Sequence, residues 1–386
     1  MERSTEVAII GGGVIGCAIA YFLRKAGVDV IVVERGEIGG QASSAAAGLL
    51  APLGPLSGPG PFADLLLASF AMFPTLVPEL EDASGVRLHF EQTGALRTVR
   101  DPKRIPKLQK RMRAWQQLGL AMHWLNGDEA RRQEPLLSPE ISAAIYIPAE
   151  SQIQAPRLVR AYARAAINLG ARIYSQTEVS GLRREQDTIT AILTARGAIS
   201  CNRLILAAGA WTGCYTRWLE IALPVSPLRG QILSYYQPQT SLKHIVFGDA
   251  AYIAPRGNTL LVGATREEAG FDASVTEEGV SWLRDSATRL LPVLGQSEIE
   301  ATWAGLRPKT PDAMPVLGPA PRWKNVILAS GHNSVGIMLS AITARTISEY
   351  VTTGQIPAII RPFAFDRFEP EQREKKSGDP DAKASG

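Results

Sequence analysis

The chain predicts an α/β protein whose two lobes interleave along the sequence, one wound around a parallel sheet and one strand-rich, of α+β character. Three observations point there. Apolar runs end in glycine turns at three places far apart: VAIIGGGVIG (7–16), LILAAGAWT (204–212) and VILASGHNSVG (326–336). Helical patterns follow the first and third. The segments between them alternate apolar and polar residues like strands of a second sheet. At 386 residues the chain exceeds one compact core and suits two.

The first unit carries the clearest chemistry. Val7 to Ile10 is a short apolar run that fits a fully buried parallel strand. Gly11, Gly13 and Gly16 then satisfy GxGxxG. The first glycine permits the tight turn, the second lets backbone approach a pyrophosphate, and the third lets helix and strand pack closely. A helix from Val14 to about Lys25 offers its N-terminal N–H groups to phosphate, and Gly27 closes it. Val28 to Val33 reads as the second strand, ending on Glu34, whose carboxylate suits ribose hydroxyls. This is a Rossmann-like dinucleotide site. An acid at position 34 argues against a 2′-phosphate, hence against NADP.

GEIGGQASSAAAGLLAP (36–52) follows. Its small residues let backbone lie against a large flat ligand, and the hydroxyls of Ser43 and Ser44 suit a second phosphate. LGPLSGPGP (53–61) reads as a mobile loop and a candidate gate. Phe62 to Leu80 is a mostly apolar helical stretch broken at Pro74 and Pro78. Core packing is its first reading, and peripheral contact with a membrane or partner the second.

Beyond Gly85 the pattern changes. Strand-like pieces at Val86 to Phe90 and Ala95 to Val99 flank a charged helix from Pro102 to Leu118. Pro156 then starts a helix (Leu158 to Leu169) closed by Gly170, followed by a strand (Ala171 to Tyr174) and a turn at Thr177 to Val179. Ile189 to Thr194 and Ile199 to Ile205 read as a hairpin. Strands dominate from Pro224 to Gly318, with one helix from about Thr276 to Leu291. Val326 to Ala329 is a third buried strand, and a helix from about Val335 to Val351 is closed by Gly354. The tail from Asp366 is charged, poor in apolar residues and expected to be disordered. The division is therefore 1–84, 149–222 and 319–365 for the nucleotide lobe, 85–148 and 223–318 for the strand-rich lobe, and 366–386 for the tail. A ligand clasped by both early and late segments suits FAD better than NAD.

Composition removes other classes. Lys+Arg number 41 against 37 Asp+Glu, with no long like-charge run, so nucleic acid is not an expected partner. The polar start MERSTEV lacks the apolar core of a signal peptide, and no apolar stretch is long enough to span a bilayer. Cys17, Cys201 and Cys214 show no CxxC spacing, and His89, His123, His244 and His332 are scattered, so no metal site is suggested. The expected setting is the cytoplasm.

The residues resemble the D-amino-acid oxidase superfamily of flavoproteins, and within it the glycine oxidase branch of thiamine biosynthesis. The matching stretches include AIIGGGVIGCAIAYFLRKAGVDVIVVERG, ASSAAAGLLAP, LILAAGAWT, PLRGQIL, AYIAPRG, LLVGAT, WAGLRPKTPD and ASGHNSVGIML. They run in the family's order nearly to Asp366. The resemblance implies a Rossmann-like FAD-binding domain interleaved with a strand-rich substrate-binding domain. It also implies FAD contacts at Val14 and Ile15 in the pyrophosphate turn and at Glu34 and Arg35 near the adenosine. Ser43, Ser44, Ala47, Gly48 and Leu49 would run under the flavin. Val179, Ala208, Gly209 and Trp211 would lie near the adenine, and Gly331, His332, Asn333, Ser334, Val335, Gly336 and Ile337 would face the pyrimidine edge. Branches that tether flavin covalently carry a cysteine ahead of TPD; none stands there, so non-covalent FAD is expected.

The implied reaction moves a hydride from an amino acid Cα to flavin, and the imine hydrolyses; oxygen then reoxidises the flavin, releasing hydrogen peroxide. Arg307 is the expected carboxylate clamp through a bidentate fork, with Tyr252 donating its hydroxyl to the same group. Leu49 and Asn333 would also border the substrate. His332 is expected to fix its turn by bonding backbone. The turn departs from the Arg-Asn-Gly usual in glycine oxidases, since Asn333, Ser334 and Val335 precede Gly336. In this it resembles D-amino-acid and cyclic-imino-acid dehydrogenases. The alternative is therefore a D-amino-acid or proline-type dehydrogenase passing electrons to a quinone or carrier. Glycine oxidases are commonly tetramers, so a homo-oligomer is expected by resemblance.

Overall fold

The architecture is taken from a computed structural model, which describes residues 3–237 and 241–369. It contains two eight-stranded sheets and a two-stranded one. The first sheet runs in the order Val316–Pro319, Val326–Ser330, Gly197–Leu206, Arg3–Ile10, Val30–Val33, Arg172–Tyr174. All neighbours are parallel except the edge pair Val316–Pro319 with Val326–Ser330. The three strands that end in glycine thus lie side by side, as their separate turns required.

Period-2 burial explains why these strands are apolar throughout. Val7, Ile9, Val30, Val32, Ile205 and Ile327 face one core with the helices Val14–Lys25, Ala155–Asn168 and Gly336–Thr353. Ala8, Ile10, Ile31, Val33, Leu204 and Leu328 face a second core, under the antiparallel strands Val179–Glu185 and Thr188–Thr194.

The second sheet is antiparallel but for one pair, Ile245–Phe247 with Ala95–Val99. It starts Ile299–Lys309, Ser226–Tyr236, Thr259–Gly263, Tyr252–Arg256. Leu233, Ile253, Leu260 and Val262 pack under the helix Glu277–Leu290. The alternate residues Ile232, Tyr252 and Leu261 face the other way. Each strand therefore builds core with one set of alternate positions and a site wall with the other.

Several elements differ from expectation. Val86 to Phe90 forms no strand; only Glu91 bridges to Gln152, and the Leu88 N–H is taken by the Glu81 carboxylate. Thr177 to Val179 leads into a strand, Val179–Glu185, rather than closing a turn. The charged helix is Ile105–Gln116, preceded by a 3₁₀ turn at Pro102–Arg104. The apolar stretch is two helices, Pro61–Phe70 and Phe73–Ser84, bent by 46°. Its break precedes Pro74, which sits in the first turn where no N–H partner is needed, and Pro78 is accommodated inside. Leu65, Leu66, Phe73 and Leu80 are buried, so the pair packs into the core. Among the described residues no single helix is long and apolar enough to cross a membrane.

The loop at 53–61 is anchored rather than a gate: Leu53 and Leu56 are buried, and Trp115 Nε1 donates to the Leu56 carbonyl at 2.9 Å. The expected tail is ordered at its start, where Phe365–Phe368 forms a 3₁₀ turn, Phe365 is buried and Arg367 bonds Asp312. Residues 370–386 lie outside the described residues.

Candidate active site

Two cavities, of about 540 and about 200 Å³, meet where the strand ends converge. Both are walled by Gly13, Ala42, Ser43, Ala207 and Gly209, so they form one elongated channel. Gly11 has φ +111°, and a Cβ there would strike the Ala207 carbonyl at 2.3 Å; one on Gly16 would strike the Gly11 carbonyl at 1.9 Å. These two glycines let strands and helix approach. A Cβ on Gly13 would have only Ser43 Oγ nearby, at 3.3 Å, and one on Gly209 would meet nothing within 4 Å. Those two leave room for a ligand's backbone-hugging edge.

The larger cavity holds the expected adenosine residues Glu34, Arg35, Val179, Ala208 and Trp211. Glu34 is already oriented, accepting from Gly12 N at 2.7 Å and Gly36 N at 2.9 Å. The Arg35 guanidinium lies 3.7 Å from the centre of the Trp211 ring, which also stacks on Phe271. Thr177, Glu178, Tyr215 and Trp218 line this end too and were not foreseen. Thr177 and Glu178 sit in the expected turn, and Tyr215 and Trp218 on short helical turns that no sequence pattern marked.

The smaller cavity gathers Val14, Ile15, Ala47, Gly48, Leu49, Tyr252, Arg307, His332, Asn333, Ser334, Gly336 and Ile337. Ser43 lines both cavities, but its hydroxyl accepts from Val14 N at 3.0 Å. Ser44 lines neither and donates to the Gly39 carbonyl at 2.6 Å. Gly331 and Val335 also stand behind the wall; a Cβ on Gly331 would meet Thr310 Cγ2 at 2.5 Å. Helices Val14–Lys25 and Gly336–Thr353 both begin at this cavity, giving it the positive ends of two helix dipoles.

Arg307 lies at the far end. Its Nη1 donates to the carbonyls of Thr265 at 2.9 Å and Arg229 at 3.3 Å, and it has no carboxylate partner among the described residues. Burial lowers its pKa from the ordinary value, Tyr252 and Glu267 opposing the shift and Arg266 adding to it. Burial pushes the Tyr252 phenol up to about 12, against the pull of Arg307 and Arg256, so it stays a neutral donor. Glycines make room for both: a Cβ on Gly230 would lie 2.3 Å from the Arg307 guanidinium, and one on Gly263 2.3 Å from the Tyr252 hydroxyl. Gly230 and Gly305 were not foreseen as site residues, although glycine within a strand signals close approach.

His332 differs from expectation. It is 2% exposed, and its Nε2 pairs with the Thr343 hydroxyl at 3.1 Å rather than with backbone. Burial lowers its pKa to about 3, so it is neutral and unsuited to act as a base. Asn333 keeps a left-handed conformation (φ 50°), donates its N–H to the Pro308 carbonyl and leaves Oδ1 unpartnered.

An elongated channel with a glycine turn, an oriented acid, two helix N-termini and, at one end, a half-buried cation without an ion pair among the described residues fits a flavin dinucleotide plus an anion. The profile of the DAO family, described as FAD dependent oxidoreductase, matches residues 6–350. The chain belongs to this family. It is 34% identical over 371 residues to a glycine oxidase of Geobacillus kaustophilus, covering 95% of this chain and 98% of that protein. It is 32% identical over 411 residues to hydrogen cyanide synthase subunit HcnC of Pseudomonas aeruginosa, covering 96% and 98%. The crystal structure of the glycine oxidase from G. kaustophilus superposes with a TM-score of 0.91 at 34% identity, covering 95% of this chain and all of that one (100%). The protein is an FAD-dependent enzyme of the DAO fold.

Proposed function

We propose that the enzyme oxidises a small amino acid, glycine, sarcosine or a small D-amino acid, to its imine and then the 2-oxo acid. Oxygen is the electron acceptor in this reading and hydrogen peroxide the second product. The observation that carries it is Arg307, a half-buried guanidinium facing the cavity with only carbonyl hydrogen-bond partners among the described residues, beside a Tyr252 hydroxyl that has no protein acceptor among them. Bound in the channel, non-covalent FAD supplies the two-electron acceptor for the substrate's Cα–H bond.

The chain's own residues do the rest. Arg307 and Tyr252 hold the carboxylate, Leu49 and Ile232 exclude water, and Asn333 borders the substrate at the start of the final helix. No side-chain base is required, because the substrate reacts as its neutral amine and His332 is turned to Thr343. The lobe boundaries belong to the same reading, with 1–84, 149–222 and 319–365 holding FAD and 85–148 and 223–318 holding substrate. So does a place in thiamine biosynthesis.

The test is anaerobic. The yellow holoenzyme is mixed in turn with glycine, sarcosine, D-alanine, D-proline and L-proline. Bleaching by glycine or sarcosine supports the proposal; bleaching only by a proline sinks it in favour of the dehydrogenase. Admitting air and measuring peroxide then assigns the acceptor.

A further inference from the structure

Half-buried Arg307 has a second, more deeply buried arginine beside it. Arg229, 7% exposed, sits on the neighbouring antiparallel strand, where Leu228 pairs with Arg307 and Arg229 with Leu306. The two arginines have opposite surroundings. Arg229 Nε and Nη2 donate to Glu267 Oε2 at 2.9 and 2.5 Å, and its Nη1 to Asp272 Oδ2 at 2.6 Å. Arg307 has carbonyls alone.

Glu267 is close to both. The Arg229 carbonyl accepts from Glu267 N at 3.0 Å and from Arg307 Nη1 at 3.3 Å, and the other acceptor of Arg307 is Thr265, two residues before Glu267. The Glu267 carboxylate is thus tethered one carbonyl away from a half-buried cation whose charged form it already favours but with which it makes no ion pair among the described residues. Coulomb attraction in such a site is strong and would draw the two together. What opposes it is the grip on Glu267: Arg229 holds Oε2, and the buried Gln231 holds Oε1 at 2.9 Å while Thr276 fixes that amide from both sides. Burial raises the Glu267 pKa, but bonds from Thr265, Arg229 and Gln231 outweigh it and hold the carboxyl below its usual range.

We propose that Arg229 is a positioning residue that sequesters Glu267, with Asp272, so that the Arg307 guanidinium remains open to the substrate carboxylate. The arrangement sets specificity by denying Arg307 an internal partner. It rests on the reading that Arg307 binds carboxylate.

The test uses holoenzyme and acetate, a carboxylate without the amine, titrated by its perturbation of the flavin absorbance. Arg229→Met should weaken acetate binding and raise the half-saturating glycine on the order of tenfold, with the limiting anaerobic reduction rate little changed. Arg229→Met/Glu267→Gln should regain most of that loss, because the competing charge is gone. Glu267→Gln alone should bind acetate at least as tightly as wild type, which keeps the idea testable even if Arg229→Met folds poorly. Acetate binding unchanged in Arg229→Met, a double variant as weak as the single, or a loss in Glu267→Gln would each overturn the proposal. Failure of the underlying reading shows separately, as acetate binding to Arg307→Met equal to wild type.

Discussion

Arg307→Ala should remove a charge-assisted, bidentate contact from a dry site. We expect a loss of about 2–4 kcal/mol of transition-state stabilisation, on the order of a hundredfold or more in kcat/KM, with FAD content retained. Stopped-flow flavin reduction measures it, and a near-normal value would move the substrate elsewhere. His332 gives a second residue-scale prediction, in pH. Its folded pKa of about 3 lies below the ordinary 6.5. Between those values the unfolded chain binds a proton that the folded one refuses. Its contribution is therefore complete above about pH 6.5 and is lost as pH falls towards 3. His332→Gln can keep a bond to Thr343 while removing the titration. Between pH 7 and 5 the stability gap between wild type and variant should narrow by about 2 kcal/mol, as read by urea unfolding of the holoenzymes.

At the scale of elements, the small-residue segment 39–48 is held from outside by backbone bonds at both ends, Gly39 N to the Gly12 carbonyl and Ile153 N to the Gly48 carbonyl, and by three contacts that involve side chains. Arg256 bonds the Ala47 carbonyl, Trp303 Nε1 bonds the Ala45 carbonyl at 3.0 Å, and Ser43 meets Val14. Gly48 has φ +76°, and a Cβ there would lie 1.9 Å from the Ile153 carbonyl. Gly48→Ala should thus distort this wall at a cost of about 1–3 kcal/mol or more and purify with little flavin. Gly230→Ala should do the reverse: it displaces the Arg307 guanidinium, so yellow protein is recovered that glycine does not bleach. Flavin content against anaerobic bleaching separates the two, and equal effects in both would refute this division of roles. The helices Val14–Lys25 and Gly336–Thr353 were legible within a residue or two because apolar periodicity and closing glycines agreed. Val179–Glu185 was not, because its outer half is exposed and carries Arg183, Arg184 and Glu185. Arg229 and Glu267 were invisible for another reason: nothing in a sequence pairs residues through a shared carbonyl.

For the whole molecule, the channel runs along the seam between the two large sheets, with Gly305, Ile232 and Tyr252 from one facing Ala42 to Leu49 and the glycine turns of the first. A ligand lying there touches both sheets and binds only when both are formed. Stripping FAD should therefore lower the melting temperature of the protein as a unit. Restoring it at a hundredfold excess over its Kd should recover about 2.7 kcal/mol, visible as a concentration-dependent rise on the order of several degrees by calorimetry. A melting temperature indifferent to FAD would deny the cofactor this bridging place.

The central strands also order events in time. Ile9 pairs with Ile205, and Ile205 with Ile327. As the chain is made, the first strand finds one neighbour at once in Val30–Val33 but waits for the other, Gly197–Leu206, made far later, and that strand waits again for Val326–Ser330. An apolar ribbon buried on both faces in the finished protein is exposed throughout that interval. Such distant pairings make folding slow and the half-made chain prone to stick to itself. The flavin, which touches the turns of all three strands, can therefore be captured only after Val326–Ser330 has been made.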